Sequence, residues 1–262
     1  MNNTAFSKLL MLELLLLLAF LLPPLVESLP QLFGGLDGTL QGHDQRQILE
    51  RAVNPSVFSV LLQGLFVFAM LLRSKELDLI VGKAPARSDI EKKPSTFSSQ
   101  LILHWLLPFF LVFGLLLANS FLWNGLAQAT GKIAIADTTL QPQPQSLPLM
   151  IFATAVAALY EELLYRWYSP MLLNLAFSWK LGFQGKTACQ HKNPPLRRIL
   201  VEGLLVIIFA LSHGYGGWLA VANALVAGSI LRLCAIRRTS PWMGFWTHLA
   251  YNLIQFALLL KS

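Results

Sequence analysis

The sequence predicts an all-α fold, a polytopic transmembrane helical bundle of six to seven spans, and three observations predict it. Of 262 residues, 55% are hydrophobic and only 13% charged, against a charged fraction of ~25% in soluble domains. Apolar runs of bilayer-crossing length, ~17 to 25 residues, recur along the whole chain. The basic residues gather in alternate loops, the pattern that the positive-inside rule gives to cytoplasmic segments. Topology thereby accounts for the net charge of +7. The expected partner is the lipid bilayer, and no nucleic acid is called for.

The spans are placed at 8–26, 55–72, 101–123, 148–170, 199–213, 217–236 and 242–260. The first combines Lys8, a leucine-rich run, Pro23-Pro24 and Val26-Glu27-Ser28. It reads as a signal peptide or as a first span, and the length of its apolar run favours a span. Glu13 is expected there as a solvated or snorkelling residue near the helix start. The second span follows the polar segment 34–55, and the third has His104 beside Trp105 near one end, an ordinary interfacial pair. Ala, Leu, Phe and Glu dominate Met150 to Arg166, so the fourth is helical, with Pro170 as its stop. The short fifth ends Phe-Ala-Leu-Ser-His-Gly-Tyr-Gly-Gly, where the glycines permit a turn after His213, and Glu202 near its start reads as a headgroup-level residue. Small residues from Ala220 to Ser229 allow the sixth to approach its neighbours closely. The seventh carries Thr247, His248 and Asn252.

The loop from Arg73 to Gln100 and the loop after Pro170 are rich in Lys and Arg, and Arg237 and Arg238 follow the sixth span. With Lys8 inside, seven spans put the N-terminus in the cytoplasm and the C-terminus outside. Cys189 and Cys234 fall on the cytoplasmic side, where thiols stay reduced, so no structural disulfide is expected. The chain is expected to divide into N-terminal helices and loops, 1–147, and a C-terminal transmembrane core, 148–262.

Ionisable groups at membrane depth cost several kcal/mol each, roughly 2.5 to 3.5 on insertion scales, so they face a protein interior or a wet cavity. Glu161, Glu162, Arg166, His213, His248 and Asn252 all lie in apolar spans, and the simplest supposition is that they meet. On an α-helix Glu162 and Arg166, four apart, share a face and can pair, whereas Glu161 points about 100° away. The two glutamates should therefore have different jobs. A carboxylate with an imidazole can take a proton from water, and a second imidazole with a carboxamide can donate to an oxyanion. Two histidines and a glutamate, here Glu161, His213 and His248, would also suit a divalent metal, although no His-Glu-x-x-His helix is present. Depth along the spans complicates a meeting. At ~1.5 Å per residue, Glu161, His248 and His213 lie roughly 13, 9 and 21 Å from the cytoplasmic ends of their spans, so kinked helices or a fifth span that turns inside the protein would level them.

Glu161-Glu162-x-x-x-Arg166, Phe209-x-x-x-His213 and His248-x-x-x-Asn252, in that order and each inside an apolar span, resemble the three motifs of the CPBP family, the CAAX protease and bacteriocin-processing intramembrane endopeptidases. The resemblance runs from Glu161 to Asn252, and residues 1–147 share only their apolar character with it. It implies an α-helical intramembrane peptidase in which Glu161 and His213 activate water, His248 and Asn252 form the oxyanion hole, and Glu162 with Arg166 organises the site. It also implies a glutamate-dependent reaction with no cofactor, although family members are often labelled metalloproteases. The implied substrate is a hydrophobic or membrane-tethered peptide. The implied location is a bacterial cell membrane, with a plastid or thylakoid membrane as the alternative, and a water-filled site opening to the cytoplasm. Two competing functions remain at this point: a non-proteolytic scaffold or regulator that binds a partner protein, and a transporter with a proton-coupled glutamate, which the lack of paired broken-helix repeats disfavours.

Overall fold

In lipid a chain can satisfy its backbone by bonding each amide within its own helix, and every described segment here is helical or a helical turn. The computed structural model describes residues 3–34, 57–81, 105–129, 147–180, 196–238 and 241–259. Its helices are α1 (Asn3–Gly34), α2 (Val57–Val81), α3 (Leu107–Ala129), α4 (Leu147–Glu161), α5 (Ser169–Lys180), α6 (Leu196–Leu211), α7 (Gly217–Arg238) and α8 (Pro241–Leu259). A π-helical segment, Glu162–Tyr168, joins α4 to α5, and a 3-10 turn, Gly214–Gly216, precedes α7. His104, Cys189 and most of the basic loops lie outside the described residues.

A helix lies at each expected span. Four stretches, Ser7–Leu29, Leu107–Ala129, Leu147–Phe177 and Gly214–Ile236, are long and apolar enough to cross a membrane, and Val60–Arg73 is a shorter apolar helix. Among the described residues, length and composition thus carry four spans. The shortfall has physical causes: α6 has 16 residues, and α8 spends positions on Thr247, His248, Asn252 and Gln255.

The chain forms two compact units. The first comprises Met1–Ile48 and Leu164–Gly228, the second Leu49–Leu163 and Ser229–Ser262. In the first unit, α1 packs on α5, α6 and the 3-10 turn, and α5 packs on α6. The buried stripe of α1 is Leu10, Glu13, Leu17, Leu21, Ser28 and Leu32, while Leu12, Leu15, Leu16, Leu18, Leu22 and Val26 face outward. That stripe repeats at helical intervals but is hidden in a leucine-rich sequence. Glu13 is therefore not solvated. Its carboxylate, 3% exposed, accepts a hydrogen bond from the Tyr168 hydroxyl, since a membrane-depth carboxylate is stabilised by a buried donor more than by reaching for water. Glu202 is 9% exposed and lies 3.8 Å from the guanidinium of Arg198, one turn earlier.

In the second unit, α4 packs on α2 and α8, and α8 packs on α3. The inward stripe of α4 is Met150, Thr154 and Ala158, and Val60, Val67 and Met70 of α2 are buried as well. Thr154 and Thr247 return their hydroxyls to carbonyls one turn back, Met150 and Met243, each at 2.8 Å. Cys234 is buried with its thiol reduced.

Pro170 does not stop the fourth helix. Inside a helix proline withdraws an N–H and crowds the carbonyl four residues earlier, which is that of Arg166. The π segment ends just before it, and a wider turn is one way a helix accommodates such a residue. Ser169 assists by donating its hydroxyl to the carbonyl of Leu164, five residues back. The helix then continues to Lys180.

Candidate active site

The two glutamates stand at the junction where α4 gives way to π winding, Glu161 as the last α residue and Glu162 as the first π residue. α8 delivers His248 between them. The Nδ1 atom of His248 lies 3.1 Å from Oε1 of Glu162, and Nε2 lies 3.7 Å from Oε2 of Glu161. One imidazole thus turns a different nitrogen to each carboxylate. Their surroundings differ as well: the Glu162 side chain is fully buried, that of His248 8% exposed and that of Glu161 25% exposed. Glu162 is placed to hold the ring. Glu161 stands at the wetter edge, and its Oε2 has no hydrogen-bond partner among the described residues. Separation of 3.7 Å is too long for a direct hydrogen bond but suits a third oxygen touching both groups.

Gly244 completes this arrangement, and sequence reasoning missed it. It lies one turn before His248 on α8, and a Cβ there would run into Oε2 of Glu162. Glycine inside a helix costs roughly 1 kcal/mol relative to alanine, so a mid-helix Gly four residues before a buried His was a readable signal. Asn252 follows His248 by one turn and is half-buried.

His213 and Arg166 belong to the first unit, gathered around Phe209. The His213 ring centroid is 4.7 Å from that of Phe209, Tyr165 meets the same ring edge-on at 5.2 Å, and the Arg166 guanidinium carbon sits 4.5 Å over it. A cation over an aromatic face is attracted by the ring quadrupole. Gly228 makes room for Phe209, since a Cβ there would come within 2.8 Å of the ring. The Nδ1 atom of His213 is 2.8 Å from the Phe209 carbonyl oxygen. A carbonyl only accepts, so Nδ1 carries the hydrogen and Nε2 is the acceptor of the neutral ring. Among the described residues, no group of three or more His, Cys, Asp or Glu side chains is spaced to hold a metal ion.

The comparison with known protein families reaches both helices that bring these side chains together. Residues 143–254 match the family described as type II CAAX prenyl endopeptidase Rce1-like. Residues 143–254 form a Rce1-like CAAX endopeptidase domain. This is the domain of a peptidase family, and membership implies an intramembrane protease. No curated protein and no solved structure matches the chain. The Rce1-like domain contains all six site residues read from the sequence, and α1, α2 and α3 precede it.

Proposed function

We propose that the chain is an intramembrane endopeptidase that hydrolyses a peptide bond in a hydrophobic or membrane-tethered protein or peptide, using a water activated by glutamate. The observation that carries the proposal is the His248 imidazole held between Glu161 and Glu162 with its two nitrogens unequally engaged. Glu161 is the base, because its side chain is the more exposed of the two carboxylates and its Oε2 has no hydrogen-bond partner among the described residues. It takes a proton from water, the resulting hydroxide adds to the scissile carbonyl carbon, and the same proton passes to the leaving amine as the C–N bond breaks.

Glu162 orients His248 through Nδ1, a buried carboxylate–imidazole arrangement that fixes ring position. With Glu162 protonated and donating to Nδ1, or with the ring doubly protonated and donating to Glu162, Nε2 bears a hydrogen. That hydrogen, joined by the Asn252 carboxamide, donates to the oxyanion. His213 presents Nε2 as an acceptor and shares the handling of water, and Arg166, seated on Phe209, organises its surroundings. No resident metal enters this scheme. The core is assigned to residues 148–262, the remaining helices are assigned to the bundle to make six or seven spans, and the alternation of basic loops puts the site mouth on the cytoplasmic side of a bacterial-type or plastid membrane.

The test is a comparison of new peptide termini in membranes from cells carrying the wild type and cells carrying Glu161→Gln at equal abundance. Termini that appear only with the wild type are expected and would name the substrate. Identical termini from two folded proteins would reject the peptidase and leave a scaffold that binds a partner.

A further inference from the structure

The turn that carries His213 closes only when α1 is counted. A helix leaves its last carbonyls without intrahelical donors, and buried ones must be satisfied elsewhere. At the end of α6, the amide of Ser212 bonds the Ile208 carbonyl at 3.0 Å, that of His213 bonds Ala210 at 3.0 Å, and that of Gly216 bonds His213 at 3.2 Å. The Phe209 carbonyl receives the Ser212 hydroxyl at 2.7 Å and His213 Nδ1 at 2.8 Å. The carbonyl of Ser212, adjacent to His213, receives the Ser28 hydroxyl of α1 at 2.7 Å, across 184 residues of sequence. Ser28 is 3% exposed, and its hydroxyl also lies 2.6 Å from the carbonyl of Pro24 in its own helix.

Glycine at 214 exists for the same contact. Its backbone is not left-handed, for among the described residues only Gly217 has positive φ, at 77°. A Cβ on Gly214 would instead stand 3.1 Å from the Ser28 carbonyl oxygen, 3.3 Å from the Ser28 Cβ and 3.4 Å from the Leu32 Cβ. The chain on both sides of His213 is thus fitted to one turn of α1, a helix outside the matched domain.

We propose that Ser28 is a positioning residue for His213, so that α1 is a working part of the peptidase core. The role of His213 rests on the function proposed above, whereas its placement by Ser28 does not. Ser28→Ala removes the donor, and Ser28→Thr retains a hydroxyl at the same place. The experiment treats the full-length protein in detergent with diethyl pyrocarbonate and follows modification at His213 and His248 separately by peptide mass spectrometry. In Ser28→Ala the rate at His213 should change by about two- to tenfold, the range that one net hydrogen bond commands, with His248 unchanged and Ser28→Thr restoring the wild-type rate. An unchanged His213 rate in Ser28→Ala would overturn the proposal, as would a parallel change at both histidines, which marks general loosening. Because the readout needs no turnover, a protein with no peptidase activity would fail the functional reading and leave this result standing. In an active preparation Ser28→Ala should lower kcat by a similar factor while KM holds.

Discussion

The two histidines are held by opposite means. His248 is fixed by a side chain, its Nδ1 engaged by a fully buried carboxyl group from another helix. His213 is fixed by backbone, its Nδ1 bonded to the Phe209 carbonyl and the preceding peptide tied to a serine hydroxyl. A carboxyl-held ring depends on carboxyl position and fails sharply when that moves. A backbone-held ring depends instead on the helix that completes its turn.

The largest effect should come from Glu161→Gln, which keeps the shape beside His248 and removes the base. Peptide hydrolysis should fall by about 10² to 10⁴-fold with detergent stability unchanged; loss of folding instead would make Glu161 structural and exchange the roles of the two glutamates. Next is Gly244→Ala. Alanine favours a helix, by roughly 1 kcal/mol over glycine, yet here it must push Glu162 away from His248. A misplacement near 1 Å can cost about 10²-fold in rate, and pairing Gly244→Ala with the shorter Glu162→Asp should recover part of it. Activity equal to wild type in Gly244→Ala would show that the carboxyl-held ring needs no such precision.

A smaller effect is expected in the first unit, at the hydrogen bond from Tyr168 to Glu13. A double-mutant cycle of Glu13→Ala and Tyr168→Phe, read as unfolding in mixed detergent, should return a coupling of about 0.5 to 3 kcal/mol. Additive losses would mean that Glu13 is buried for some other reason. Smallest of all, excess chelator should leave hydrolysis unchanged. Inhibition that zinc reverses would replace the glutamate-activated water by a metal-bound one and end the comparison between the two rings.

Helix positions were legible because apolar runs in a chain with few charges leave little choice, and the helices fall at the seven expected places. The six polar candidate positions stood out in the sequence for the complementary reason: Glu161 or His248 in an apolar span has a cost that invites explanation. The partners were harder to read. Glu13 and Tyr168 are 155 residues apart, and nothing in a run of leucines marks which of its faces is inward. That His248 faces both glutamates depends on how α4 and α8 are turned about their axes, which the spacing of motifs does not specify. π winding escaped notice too, because proline read alone says stop, whereas in a packed helix the turn can widen and proceed.

That widening has a consequence for how this helix can vary. Five-residue hydrogen-bond closure accommodates a surplus residue as extra girth. The splay is local: Glu161 and Glu162 are turned to His248, while Tyr165 and Arg166 are turned to Phe209. Deleting one residue from Leu163–Leu164 would let the π turn shrink to even winding, and would remove the divergence that lets neighbouring turns of one helix serve two different rings.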